Sequence, residues 1–171
     1  IYRATEDKNL LEEIQRFAEA RKASFVELFY LDPAQAFFSI LLAEDREKLS
    51  RLIPRCIEEE IMIEGMMDVL HIDFEEGASQ TQYTVTTDDG NYFILHPAGG
   101  LHVPLESGMK IRVKGIRVDK EILFDGTRSL SESPDVAGGI EIIQEVGNPP
   151  VKGEQKVLVV MANFQNTQEP S

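Results

Sequence analysis

Two hydrophobic periods divide this chain, a helical one up to about residue 60 and a period of two beyond it. Between Asp7 and Lys22, apolar residues fall at Leu10, Leu11, Ile14, Phe17, Ala18 and Ala20. Glu12, Glu13, Arg16 and Glu19 fill the other face, so the spacing predicts an amphipathic helix. Ser24 is placed to cap a second helix, Phe25 to Leu31, with Glu27 completing a capping box. Asp32 and Pro33 then suit the N-cap and first turn of a third helix, which carries Ala36, Phe37, Ile40 and Leu41 and stops near Ala43. A fourth runs from Asp45 to about Ile53, and Pro54 opens a short last one, Arg55 to Glu60. Residues 1–60 therefore read as a small helical bundle that leads into the rest.

After Ile61 the period becomes two. Ile61, Ile63 and Val69 suggest a first strand, with a bulge expected at Gly65. Tyr83, Val85 and Thr87 alternate with polar neighbours, and Asp89-Gly90 is a hairpin signal before Tyr92 to His96. Met109, Ile111 and Val113 alternate with Lys110, Arg112 and Lys114; Asp119-Lys120 turns the chain into Glu121 to Asp125. Ile140 to Val146 adds a further strand. Five or more short antiparallel strands predict a closed or nearly closed barrel over residues 61–147, because closure removes exposed edges. Ile111, Val113, Val85 and Ile94 are expected inside it. Gly147-Asn148-Pro149-Pro150 reads as a linker, and Lys156 to Phe164 as an apolar strand fit for burial on both faces.

Composition narrows the functional classes. The 171 residues are 42% hydrophobic, which suits a folded domain, and no apolar stretch is long enough to span a bilayer. Thirty acidic against 17 basic residues leave a net charge of −13, which argues against a nucleic-acid partner. The single cysteine, Cys56, excludes an intrachain disulfide and any multi-cysteine zinc site. No signal peptide is visible, and the Ile1 start predicts a processed or trimmed product.

Candidate chemistry is sparse. His71, His96 and His102 form no HExxH and no i, i+4 pair. His71 and Asp73 alternate on one strand face beside Glu75 and Glu76, donors that in principle suit a metal ion; a solvated strand end leading into a loop is the simpler account of them. His96 and His102 flank the Pro97–Gly100 loop without a carboxylate or thiolate at a diagnostic spacing. Lys110, Arg112, Lys114 and Arg117 read as one basic strand face, which either holds an anion or pairs with nearby acids. No nucleophile elbow or phosphate loop occurs, so this chain is not expected to be a catalyst. Pro54-Arg55-Cys56 matches the start of the cysteine switch P-R-C-G-x-P-D, in which a thiolate blocks a catalytic zinc, but Ile57-Glu58-Glu59 departs from it. A buried cysteine packed between helix and barrel is the alternative.

Several stretches together resemble the N-terminal region of gametolysin-like secreted zinc metallopeptidases. They are Glu64-Gly65 through His71, Asp73-Phe74-Glu75-Glu76-Gly77, Tyr83-Thr84-Val85, Asp89-Gly90, Tyr92 to Leu95, Leu105 to Gly108, Ile111 to Gly115 and Leu123 to Gly126. Lys156 to Gln165 is similar to the first strand of a peptidase domain in that group. The resemblance implies an α+β chain: a helical lead-in over 1–60, an antiparallel OB-like β-barrel over 61–147, and a linker with the first downstream strand over 148–171. It implies a non-catalytic pro- or accessory region of an exported enzyme, extracellular or in the cell envelope, that assists folding, latency or targeting. Its partner would be the downstream peptidase domain; zinc would belong there, with no cofactor in this chain. A stand-alone exported module for a peptide, glycan or cell-surface partner is the alternative.

Overall fold

The computed structural model describes residues 2–73, 77, 79–131 and 138–146. Glu75 and Glu76, the linker at 147–150 and the strand expected at Lys156 to Phe164 lie outside them. Three helices, α1 (Tyr2–Leu31), α2 (Pro33–Phe38) and α3 (Ala43–Ser50), precede six strands. These are β1 (Glu59–Asp73), β2 (Ser79–Thr87), β3 (Tyr92–Ala98), β4 (Lys110–Val118), β5 (Glu121–Asp125) and β6 (Gly139–Gln144). The chain is α+β.

The expected break at Ser24 is absent, and α1 runs through it. Neither glycine nor proline stands there to interrupt the turns, so an uncapped serine is simply carried on the helix surface. Pro33 does end α1, since its ring excludes helical backbone at Asp32. Asp32 then caps α2, its carboxylate accepting the Gln35 N–H at 2.9 Å. The helix expected over Arg55 to Glu60 is replaced by turns and the start of β1. There Glu59 and Glu60 pair with Arg117 and Ile116, and the ladder to β4 overrides local preference.

All strand pairs are antiparallel except β3–β5, so the sheet is mixed rather than antiparallel. The parallel pair has a topological cause. Asp119, at φ 54°, folds β5 back along β4, and β5 enters the sheet between β4 and β3. β1 bonds to both β2 and β4, which joins the strands in a ring of pairings, β1–β2–β3–β5–β4, with β6 added along β4. β1 manages this by changing partner: Glu59–Met66 pair with β4, Gly65–Asp73 with β2. No bulge occurs at Gly65. Instead, a Cβ at that position would lie 2.3 Å from the Thr86 carbonyl oxygen, so glycine permits the close approach of β2.

One apolar cluster fills the inner side of the ring, from Ile63, Met67, Val85, Phe93, Leu95, Ile111, Val113, Ile122, Phe124 and Ile140. Ile111, Val113 and Val85 are buried there as expected; Ile94 is not. It faces outward, and Phe93 and Leu95 take the inner positions, because a run of four apolar residues hides the phase of alternation. A second cluster joins Phe25, Phe29 and Ala36 to Ala98, Ile116, Val118 and Leu123. The helices thus pack on the outside of β3, β5 and β4 instead of forming a bundle among themselves.

Glu58, with its side chain fully buried, ties the helices to the start of β1. Arg21 of α1 donates to both carboxylate oxygens at 2.7 and 2.9 Å, and the Leu41 N–H donates at 2.9 Å. Burial alone would push this carboxyl up. The hydrogen bonds from Arg21 and the Leu41 and Glu58 amides, with the Arg21 charge, outweigh it and hold Glu58 below the ordinary carboxylate range.

Gly65→Ala should cost about 3 kcal/mol in denaturant unfolding, because backbone rather than a flexible side chain blocks the methyl. Gly100→Ala, which meets nothing within 4 Å, should be close to neutral. Equal losses at both sites would refute the close-approach account of Gly65. Glu58→Gln should cost about 2–4 kcal/mol at neutral pH by leaving Arg21 without its counter-charge. A depressed folded pKa contributes stability at neutral pH that is lost as pH falls through that value. The variant should therefore flatten the acid side of the stability–pH curve, and an unaltered acid side would contradict the assignment.

Candidate functional site

A cleft of about 250 Å³ opens beside β2 and β3, under the end of α1 and the start of α2. Tyr30 and Pro33 wall one side, and Gln80, Gln82, Tyr83, Ile94 and His96 the other. Proline explains its position. The β2–β3 ladder runs from Thr86↔Tyr92 to Tyr83↔Leu95 and stops there. Two residues on, Pro97 has no N–H to continue it, while β3 goes on pairing with β5 as far as Ala98.

His96 is buried at the back of this cleft. Its Nε2 lies 2.6 Å from Glu121 Oε2, and the Tyr30 hydroxyl donates to Glu121 Oε1 at 3.0 Å. The imidazole meets the Tyr30 ring edge-on at 4.6 Å between centroids, and Phe29 at 5.4 Å. One carboxylate therefore fixes both an imidazole from β3 and a phenol from α1. Among the described residues no buried side-chain nitrogen or oxygen lacks a partner, and none of these residues bonds His96 Nδ1. That nitrogen therefore keeps its capacity to donate or to accept one hydrogen bond, depending on tautomer. Burial, and then the hydrogen bond to Glu121 and its charge, push the Tyr30 phenol up to about 12.

The residues singled out from sequence lie elsewhere, His96 excepted. His71 and Asp73 are exposed near the end of β1, and His71 Nδ1 is 3.1 Å from Thr81 Oγ1 across the β1–β2 pair. Among the described residues no group of three or more His, Cys, Asp or Glu is placed to hold a metal ion. Cys56 is a buried free thiol beside α1, between recesses lined by Lys22, Ala23 and Val26 and by Gln15, Leu52 and Ile53. His102 Nδ1 is 2.9 Å from the Gly126 carbonyl oxygen, a contact that fastens a loop.

The basic alternation of β4 is matched by acids. Lys110 reaches Asp88 at 3.5 Å and Lys114 reaches Glu60 at 3.2 Å. Arg112 bridges Glu64 and Glu141, and Arg117 pairs with its cross-strand neighbour Glu59. An anion would have to displace these carboxylates. Sequence reasoning missed Tyr30 and Glu121, which lie 91 residues apart and meet through the packing of α1 on the sheet, while the β3–β5 pairing sets Glu121 beside His96. The available signal was Pro97 at the end of an apolar strand.

No family model, curated protein or solved structure matches this chain.

Spectrophotometric titration should show one of the four tyrosines ionising near pH 12. A raised folded pKa gives stability that is complete below the ordinary phenol value of about 10 and is lost as pH rises through the folded one. Glu121→Gln should lower that titration by removing the neighbouring charge. An unchanged profile in the variant would place the high-pH tyrosine elsewhere.

Proposed function

We propose that this chain is a non-catalytic binding module, an OB-like barrel buttressed by N-terminal helices, that serves as the pro- or accessory region of an exported zinc metallopeptidase. The observation that carries the module reading is the position of the cleft on β2 and β3. A ring of pairings β1–β2–β3–β5–β4, with β3 and β5 parallel, supports an OB-like barrel. Such barrels take ligands across the face of their second and third strands. The peptidase assignment rests on the stretches that resemble gametolysin-like N-terminal regions, and zinc is the business of the downstream domain. A net charge of −13 disfavours nucleic acid as the ligand.

The deciding experiment extends the reading frame past Ser171. An HExxH-bearing domain there, whose refolding yield or latency depends on residues 1–147 supplied in cis or in trans, is the expected outcome. A frame without such a domain, or a peptidase indifferent to the segment, would leave only the stand-alone module.

A further inference from the structure

We propose that the cleft holds one neutral pyranose unit, the terminal sugar of a glycan, with Gln80, Gln82 and His96 taking its hydroxyls. This rests on the binding-module reading and names its ligand class.

Val85 and Tyr83 pack on the inner cluster, so alternation sends Gln80 and Gln82 to the outer face of β2. There they line the cleft with Ile94 and His96, opposite Tyr30 and Pro33. Neither glutamine side chain is bonded within the described residues. His96 adds a group of defined sense. The Tyr30 hydroxyl already donates to Glu121 Oε1, and His96 Nε2 lies 2.6 Å from Oε2. A carboxylate only accepts, so in the neutral imidazole Nε2 carries the proton and Nδ1 is left as an acceptor.

The walls thus combine one acceptor that needs a donor with two amides that donate and accept at once. No acidic, lysine or arginine side chain is among the described walls, and the net charge of −13 repels phosphate and carboxylate groups. A hydroxyl donates and accepts through one atom, and two vicinal hydroxyls match the two ends of a side-chain amide. Tyr30, Pro33 and Ile94 offer apolar surface to the C–H side of a sugar ring. At about 250 Å³ the cleft falls below the roughly 300–1,000 Å³ typical of sites for drug-sized ligands, which suits a single ring. A nucleobase would call for a second exposed aromatic plane, whereas Phe29 is fully buried and Tyr83 packs on the inner cluster.

The test titrates the whole chain with methyl pyranosides of gluco, galacto, manno and xylo configuration, read by amide and imidazole nitrogen shifts. For a single ring an affinity on the order of millimolar is expected. Shifts should centre on residues 80–83 and 94–96. His96 Nδ1 should begin unprotonated at neutral pH and move as a hydroxyl donates to it. Gln82→Leu should weaken the preferred pyranoside by about tenfold, the worth of one hydrogen bond. Gln144→Leu, on exposed β6, should leave the affinity unchanged. Both side chains reach solvent, so neither variant should shift the unfolding midpoint appreciably. No pyranoside that shifts these residues, equal affinity in Gln82→Leu, or a protonated Nδ1 in the free protein at neutral pH would overturn the proposal. If capped dipeptide amides shift the same residues and pyranosides do not, the sugar class is wrong while the binding module stands. If neither class does, the cleft no longer supports the binding-module reading either.

Discussion

The demand that one strand serve two partners organises this structure. β1 must pair with β4 over its first half and with β2 over its second, and the exchange occurs at Gly65–Met66. A side chain at Gly65 would collide with the Thr86 carbonyl, so the exchange is possible only where the residue has no Cβ. Once β1 is shared in this way, Ile63 and Met67 are turned inward with Ile111 and Val113, and one apolar cluster fills the ring. The outer faces of Ile116, Val118 and Leu123 then need cover, which Phe25, Phe29 and Ala36 supply. The helices are in this sense a response to the sheet.

The same helices make the cleft. Tyr30, at the end of α1, is held by Glu121 of β5, and this carboxylate also holds His96 of β3. Farther along the helix, Arg21 is held by Glu58 at the approach to β1. Two carboxylates thus pin α1 at separate points, and the groove between helix and strands keeps its width by these contacts rather than by apolar packing alone. The strongly charged face of β4 has a different character, since its cations are paired with carboxylates from neighbouring strands.

Local signals were legible wherever a turn or a cap required a particular residue. Asp89-Gly90, Asp119-Lys120 and Asp32-Pro33 each mark the junction that they form, and Ile111 and Val113 alternate cleanly enough to reveal the inward face of β4. The inward phase of β3 was hidden, because Tyr92-Phe93-Ile94-Leu95 is apolar on both faces and both faces are in use. The helix over Arg55 to Glu60 was a reasonable local preference defeated by a strand more than fifty residues away. Parallel pairing of β3 with β5 left no local trace, and with it the meeting of Tyr30, His96 and Glu121 was invisible. Cys56 was legible as a buried residue; of the cleft, His96 and Pro97 stood out, and nothing local joined them to Tyr30 and Glu121.

The partner exchange in β1 also bears on how the chain assembles. The β2–β3 and β4–β5 hairpins close over short turns, but Glu59 meets Arg117 only across 58 residues. Such distant pairings are slow to form, and the ring cannot shut until β4 and β5 have been synthesised. Until then β1 presents two unsatisfied edges together with Met62, Met66 and Leu70, which stay exposed even in the native sheet. Glu59, Glu60, Glu64 and Asp68 are interspersed along this strand, and like charges so placed oppose stacking against a second nascent chain. Three of these acids, Glu59, Glu60 and Glu64, later become salt-bridge partners of Arg117, Lys114 and Arg112, so the charges that oppose stacking in the nascent chain are the ones the closed sheet then neutralises.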